Sequence, residues 1–227
     1  ESLDYVAGEL EQATKGGKTL EAAIAALLPK IVKENKRILF NGNNYSKEWE
    51  KEAGKRGLLN LKNTVDALPQ LISKEVVSMF EKYKVLNGRE LQSRYDIMVE
   101  TYNKTVNVEG QLMVLIANRY ILPAALEYQK QVAQSVSAVK AAGAASSEGK
   151  KLLTTVVKLA DEIKKRADKL AHGLAHPGGD AVKHAKHFRD NVIPAMVALR
   201  ATSDVLEGMI PHGQWPLATY REMLFIK

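Results

Sequence analysis

The sequence predicts an all-α protein: an antiparallel up-and-down helical bundle with one very long helix, bent at a proline, and shorter helices ahead of it. Three observations carry this. No segment alternates apolar and polar residues over a useful length, so a sheet is not expected. Apolar residues recur every three or four positions over long stretches. Glycine, proline, serine, threonine and asparagine fall where such helices need ends.

Ser2 is placed to cap a first helix running towards Lys15, stopped by Gly16-Gly17. Thr19 caps a second, with Leu20, Ile24, Leu27, Leu28, Ile31 and Ile38 as its apolar stripe. Pro29 is expected to kink it, because proline removes the amide that bonds back one turn. FNGNNYS, from Phe40 to Ser46, reads as a loop in which Asn-Gly favours positive backbone dihedrals. Ser46 caps a short helix whose Glu48 and Glu50 suit the positive end of its dipole, and Gly57 ends it. Residues 58–86 read as short helices, with Thr64 and Ser73 as caps and Pro69 as an interruption.

Asn87 and Glu90 form a capping box that opens the longest element. Its stripe runs through Leu91, Tyr95, Met98 and Tyr102, resumes at Leu112, Leu115 and Ile116, and continues through Leu122, Ala125, Val132, Val136 and Val139. Unbroken, it spans about 54 residues, roughly 80 Å at 1.5 Å per residue. Pro123 bends it and the β-branched patch Thr105 to Val108 loosens it. Ala141 to Gly149, AAGAASSEG, is a turn. Leu152, Val156, Leu159, Ile163, Ala167, Leu170 and Leu174 then line one face of a further helix. HPGGD, His176 to Asp180, ends that helix and caps the next, whose stripe is Val192, Met196, Leu199, Ser203, Leu206 and Ile210. Pro194 bends this helix and Pro211 stops it. Long helices joined by short turns run antiparallel, since a short connection cannot return the chain to its starting end. Residues 1–227 are thus expected to form a single helical domain: 1–86 as short helices and connector, 87–210 as the long-helix bundle, and 211–227 as a tail.

Composition narrows the chemistry. The chain has 227 residues and no cysteine, which excludes disulfides, thiolate metal sites and cysteine nucleophiles. It has no apolar run long enough for a membrane span, and its acidic, amphipathic start is unlike a signal peptide, so the expected compartment is the cytoplasm. The net charge of +7 is concentrated between residues 121 and 190, mostly from Lys150 to Lys169. There, lysines alternate with Asp161, Glu162 and Asp168, as on a solvated helix face; no aromatic or glycine-rich element accompanies them, so nucleic acid is not an expected partner. His172 and His176 are four apart and His184 and His187 three apart, spacings that could hold zinc or nickel. HExxH and Glu-x-x-His patterns are missing, and Asp168, Asp180 and Asp190 read as caps and surface charge. Glu100, Glu109 and Glu127 are the inward acid–base candidates of the long helix, set against ion pairing with Arg94, Lys104 and Arg119. An anion site at Arg119-Tyr120 is weighed against packing of Tyr120. No phosphate loop, dinucleotide loop or nucleophile elbow is present; Gly16-Gly17 and Gly178-Gly179 read as helix terminators. No residue is expected to be catalytic, cofactor-binding or metal-binding. The tail holds Trp215, Tyr220 and Phe225, with Thr219 and Glu222 as a capping box; it is expected to pack on its own bundle, and docking on a neighbouring domain is compatible with that.

Several stretches, in order and spacing, carry a resemblance: RILFNGNNYSKEW, continued to Gly57; GLLNLKNTVDALPQL; ELQSRYDIMVETYNKTVNVEGQLM; NRYILPA; RDNVIPAM; and WPLATYREMLF. Together they cover about Lys30 to Tyr128 and Asp190 to Lys227, and they resemble the C-terminal part of a type III glutamine synthetase. Residues between Gln131 and Phe188 look like a variable helical hairpin outside it. The resemblance implies a parent ligase that uses ATP and Mg2+ to activate the glutamate γ-carboxylate for attack by ammonia, and that assembles as a double ring of six subunits each. It implies the N-terminal catalytic domain of the same polypeptide as partner. None of the family's phosphate-handling or metal-binding residues maps onto this chain. The expected role is therefore structural, assembly or regulatory. The alternatives are an independent helical scaffold or partner-binding module, and nucleic-acid binding through Lys150 to Lys169.

Overall fold

The computed structural model describes residues 1–175 and 179–224, and among these every regular element is helical. The helices are α1 (Ser2–Lys15), α2 (Leu20–Glu34), α3 (Lys47–Lys55), α4 (Thr64–Ala67), α5 (Lys74–Lys82), α6 (Gly88–Ile116), α7 (Leu122–Ala141), α8 (Ser147–Leu174), α9 (Ala181–His187), α10 (Ile193–Glu207) and α11 (Tyr220–Leu224). The chain divides into two compact units, Glu1–Gln92 and Ser93–Lys227.

In the first unit, local side-chain chemistry sets the helix ends. The side chains of Thr19, Ser46 and Ser73 accept from the amides of Ala22, Trp49 and Val76, and open α2, α3 and α5. Two expected caps are displaced by one residue. Glu1 rather than Ser2 precedes α1, without a side-chain bond, and Asn63 rather than Thr64 caps α4 by accepting from Asp66. Asparagine reaches the N3 amide as well as threonine does, so the earlier of two adjacent candidates takes the position. Helix α2 runs through Pro29 without a break. Its apolar stripe is only partly used: Ala23 and Leu27 are buried, while Leu20, Ile24 and Leu28 are exposed. The helix packs against α1, and a single neighbour covers only a narrow strip of a wide apolar face. The hydroxyl of Tyr83 donates to Asp4 (2.7 Å) and Lys82 stands 3.7 Å from both Glu1 and Asp4, tying the end of α5 to α1.

The capping box at the start of α6 forms as expected: Asn87 N donates to Glu90 (2.8 Å) and Glu90 N donates to Asn87 Oδ1 (3.0 Å). From Gly88 the helical path continues through Ala141, 54 residues in all. It is not uniform. Residues Ala117–Ile121 form a π-turn just ahead of Pro123, and Phe188–Val192 form a second one just ahead of Pro194. In each, the residue preceding the proline donates its amide five residues back, Leu122 to Ala117 and Ile193 to Phe188. A proline lacks the amide and crowds the carbonyl four residues earlier. A turn widened by one residue takes that carbonyl out of the ring's way, so both prolines are accommodated without ending the helix.

The buried face of α6 matches the expected one only in part: Leu91 is enclosed, and Tyr102 and Ile116 pack against the core, as expected. Tyr95, Val99, Asn103, Val106, Gly110 and Ala117 point inward, whereas Met98, Leu112 and Leu115 are exposed. Asn103 donates to the carbonyl of Ala181 (2.9 Å). At Gly110 an added Cβ would stand 2.8 Å from Leu174 Cδ2, so the missing side chain lets α6 and α8 approach. The turn after α7 is shorter than expected: α8 begins at Ser147, and Gly149 lies in its first turn with its Cα side against Ser146 and Val136. Helix α8 packs on both α7 and α10, and its stripe is buried as expected, with Val156, Ile163, Ala167 and Leu170 fully enclosed. Ile163, Ala167 and Leu170 join Phe188, Val192, Leu199, Leu206 and Trp215 in the core of this unit.

Candidate functional site

The stretch RILFNGNNYSKEW builds a fastened loop rather than a floppy one. Arg56 donates from Nη1 to the carbonyls of Leu39 (2.7 Å) and Arg37 (3.2 Å), and from Nε to Glu52 (2.8 Å). Its guanidinium lies 5.6 Å from the Trp49 ring centroid, and Trp49 stacks on Phe40 at 4.6 Å. Gly42 does not adopt a positive φ, contrary to the Asn-Gly expectation. A Cβ there would instead fall 2.7 Å from the Phe40 ring. Asn43 Oδ1 accepts from Tyr45 N (2.9 Å), closing the tip. The Tyr45 side chain is left 99% exposed. Held this way, the tip offers a phenol and several amides for recognition, and no acid–base pair.

The acid–base candidates do not converge. Glu100, Glu109 and Glu127 are all exposed rather than inward, because the inward face of α6 and α7 runs along other positions. Glu100 pairs with Lys104 (3.2 Å) and Glu127 with Lys130 (3.3 Å), the intrahelical ion pairs set against them. Asp190 pairs with Arg189 (2.6 Å), which holds its carboxyl below the usual range. The histidines separate as well. His184 lies against Phe188, ring centroids 4.3 Å apart. His187 Nε2 donates to the carbonyl of Gly173 (3.0 Å), fastening the second π-turn to α8. His172 is exposed, and His176 lies outside the described residues, as do Gly178 and Phe225. Among the described residues no three histidines, aspartates or glutamates gather as a metal ligand set. Arg119 and Tyr120 sit in the first π-turn with Tyr120 half in solvent.

The tail packs on its own unit. Trp215 is buried, and Gln214 donates to Gln131 (2.9 Å). Thr219 donates from both its amide and its hydroxyl to Glu222, the expected capping box, and these bonds hold the Glu222 carboxyl below its ordinary value. Between tail and helices lies a cleft of about 370 Å³, walled by Met113, Ile121, Leu199, Trp215, Leu217 and Met223, with Arg200, Asp204 and Glu207 at its rim.

The outward face of α6 is apolar in its own right. Ile97, Val108, Leu112 and Leu115 are 62%, 61%, 52% and 41% exposed. Their spacing places them along one side of the helix, opposite the buried residues. Thr101 and Lys104 interrupt the stripe after Ile97, so its continuous part is Val108, Leu112 and Leu115, an exposed apolar strip of the kind that marks a contact surface. No helix among the described residues is long and apolar enough to cross a membrane.

Comparison with known proteins agrees with the resemblance seen in the sequence. The family model of the glutamine synthetase C-terminal domain matches residues 23–140. A glutamine synthetase of Butyrivibrio fibrisolvens is 30% identical over 92% of this chain, covering 30% of that protein. A type-3 glutamine synthetase of Dictyostelium discoideum is 28% identical over 100% of this chain, and a glutamine synthetase of Bacteroides fragilis (strain YCH46) 25% identical over 99%; in each case 32% of the relative is covered. The chain thus spans about a third of the length of the curated relatives it matches.

Proposed function

The chain belongs to the glutamine synthetase C-terminal domain family, and from that membership we propose that it is the helical C-terminal portion of a type III glutamine synthetase, serving fold completion, assembly or regulation without supplying catalytic groups. In this reading the rest of the parent polypeptide binds ATP, Mg2+, glutamate and ammonia and makes glutamine in the cytoplasm as a double-ring oligomer. The observation that carries the reading is the family match over 23–140, which includes both the fastened loop and the apolar outer face of α6. These two surfaces are exposed here, and the catalytic portion or a neighbouring subunit is their partner.

The second unit forms an antiparallel up-and-down bundle in this proposal. Support comes from contacts at both ends of α8: Gly149 meets Val136 of α7 and Leu174 meets Gly110 of α6. On the other side, Arg166 bonds to Ala198 and His187 to Gly173, so α10 is approached in reverse order too.

Two measurements test the role. The isolated chain, assayed with glutamate, ATP and ammonia, is expected to release no phosphate above background; robust turnover would overturn the proposal. In the full-length parent, Ile97→Glu with Leu112→Glu is expected to weaken oligomer assembly while leaving the helicity of the isolated chain unchanged, read by analytical ultracentrifugation and circular dichroism. An unaltered oligomer would remove α6 as an assembly surface.

A further inference from the structure

We propose that the groove between α8 and α10 is a binding site for a small polyphosphate-bearing anion, a use of the basic segment that the glutamine synthetase reading does not require. The groove has a volume of about 600 Å³. One wall is a ridge of α8, on which Lys165, Lys169 and His172 recur at one helical face. The other wall is the second π-turn and the start of α10, contributing His187, Asn191 and Pro194. Its floor includes Gly173, Ala195 and Ala198, small residues that keep the two helices' side chains from closing the space.

The charge arithmetic of the lining decides the ligand class. Its two carboxylates are already neutralised: Glu162 pairs with Arg166 (2.7 Å) and Asp190 with Arg189 (2.6 Å). Arg166 is held in place by a further bond to the carbonyl of Ala198 (2.6 Å), so that pair is a structural strut. Lys165 and Lys169 have no ion-pair partner among the described residues and project into the same space. Asp161, one turn from Lys165, lies outside ion-pair distance of it, and Asp168 is engaged by Lys164. The groove therefore presents two uncompensated ammonium groups with the His172 imidazole beside them, while the Asn191 amide opposite is turned onto His187, 3.3 Å from Nδ1 and 3.4 Å from the carbonyl. Two ammonium groups facing one space suit phosphate oxygens, which they bind as point charges. A volume of this size exceeds a single phosphate and leaves room for two or three linked phosphates, or for one phosphate group with an organic body lying on Pro194 and Ala198.

The test uses the whole chain with pyrophosphate and tripolyphosphate as probes, followed by calorimetry and phosphorus NMR at low and moderate salt. Saturable one-to-one binding that weakens with salt is expected. Lys165→Ala with Lys169→Ala is expected to lower affinity about tenfold, the order set by losing two close charges from a half-wet site. Lys140→Ala with Lys150→Ala removes the same charge from exposed positions near the far end of α8 and is expected to leave affinity unchanged. Circular dichroism of all variants checks that helicity is retained. Absence of saturable binding at low salt would overturn the proposal. So would equal losses in the two double variants, which would show diffuse charge only. Retention on duplex DNA without binding of either probe would overturn it as well. None of these readouts depends on glutamine formation, so the groove and the parent reaction fail or stand separately.

Discussion

Arg56 shows how one side chain can set a loop. It joins two loop carbonyls, a carboxylate and an indole face, and a lysine ammonium, without the planar fork of a guanidinium, could not span all of these. Arg56→Lys is expected to lower stability by about 1–2 kcal/mol and to speed amide exchange at Leu39 to Tyr45, while Tyr45→Ala leaves stability unchanged because its ring touches only solvent. At the fully buried Leu170, substitution by alanine is expected to cost about 2–5 kcal/mol in chemical denaturation, as a cavity opens among rigid neighbours. Glu222 links the tail to pH. Its folded carboxyl titrates below the ordinary 4.5, chiefly because the Thr219 amide bonds to it, with the hydroxyl second. The stabilisation is therefore complete above 4.5 and is lost as pH falls through the lower folded value. Fraying of α11 is expected there, seen as loss of Thr219 amide protection by hydrogen exchange. Caps such as Thr19, Ser46, Ser73 and the Asn87–Glu90 pair were readable in the sequence because their bonds close within three residues. The need for Gly42 was not, because the ring it avoids is placed by Trp49 and, through it, by Arg56.

Helix α8 could be read almost completely from its spacing, since one strong apolar stripe admits one burial face. Helix α6 could not. It carries apolar residues on two sides, and the buried side includes Asn103 and Gly110, which any hydrophobicity pattern passes over. The partners that settle the choice, Ala181 and Leu174, lie far along the chain. The π-turns were also invisible as such; the prolines announced only that something must change. Pro123→Ala is expected to leave the Ala117–Ile121 turn widened, because Ala117, Ile121 and Ala125 are buried on both sides of it and hold the register. Retention of the Leu122-to-Ala117 amide bond, by NMR or crystallography of the variant, checks this.

For the chain as one unit of sequence, the all-helical character of the described residues and the order of helices follow from periodicity, and the family follows from short motifs. The surfaces do not. An exposed apolar stripe and a buried one look alike until neighbours are assigned, so Met98, Leu112 and Leu115 of α6 and Leu20, Ile24 and Leu28 of α2 read as stripe residues in the sequence and are exposed in the structure. The chain is expected to self-associate with rising concentration through these faces, and Val108→Glu with Leu112→Glu is expected to shift sedimentation towards a single slow species. The two widened turns have a consequence for descent. Each absorbs one residue beyond what regular winding needs, so the stretches before and after it keep their buried faces towards the same neighbours. A one-residue addition is thus accommodated at these turns, whereas one in the middle of α7 or α8 would turn the following face by about 100°.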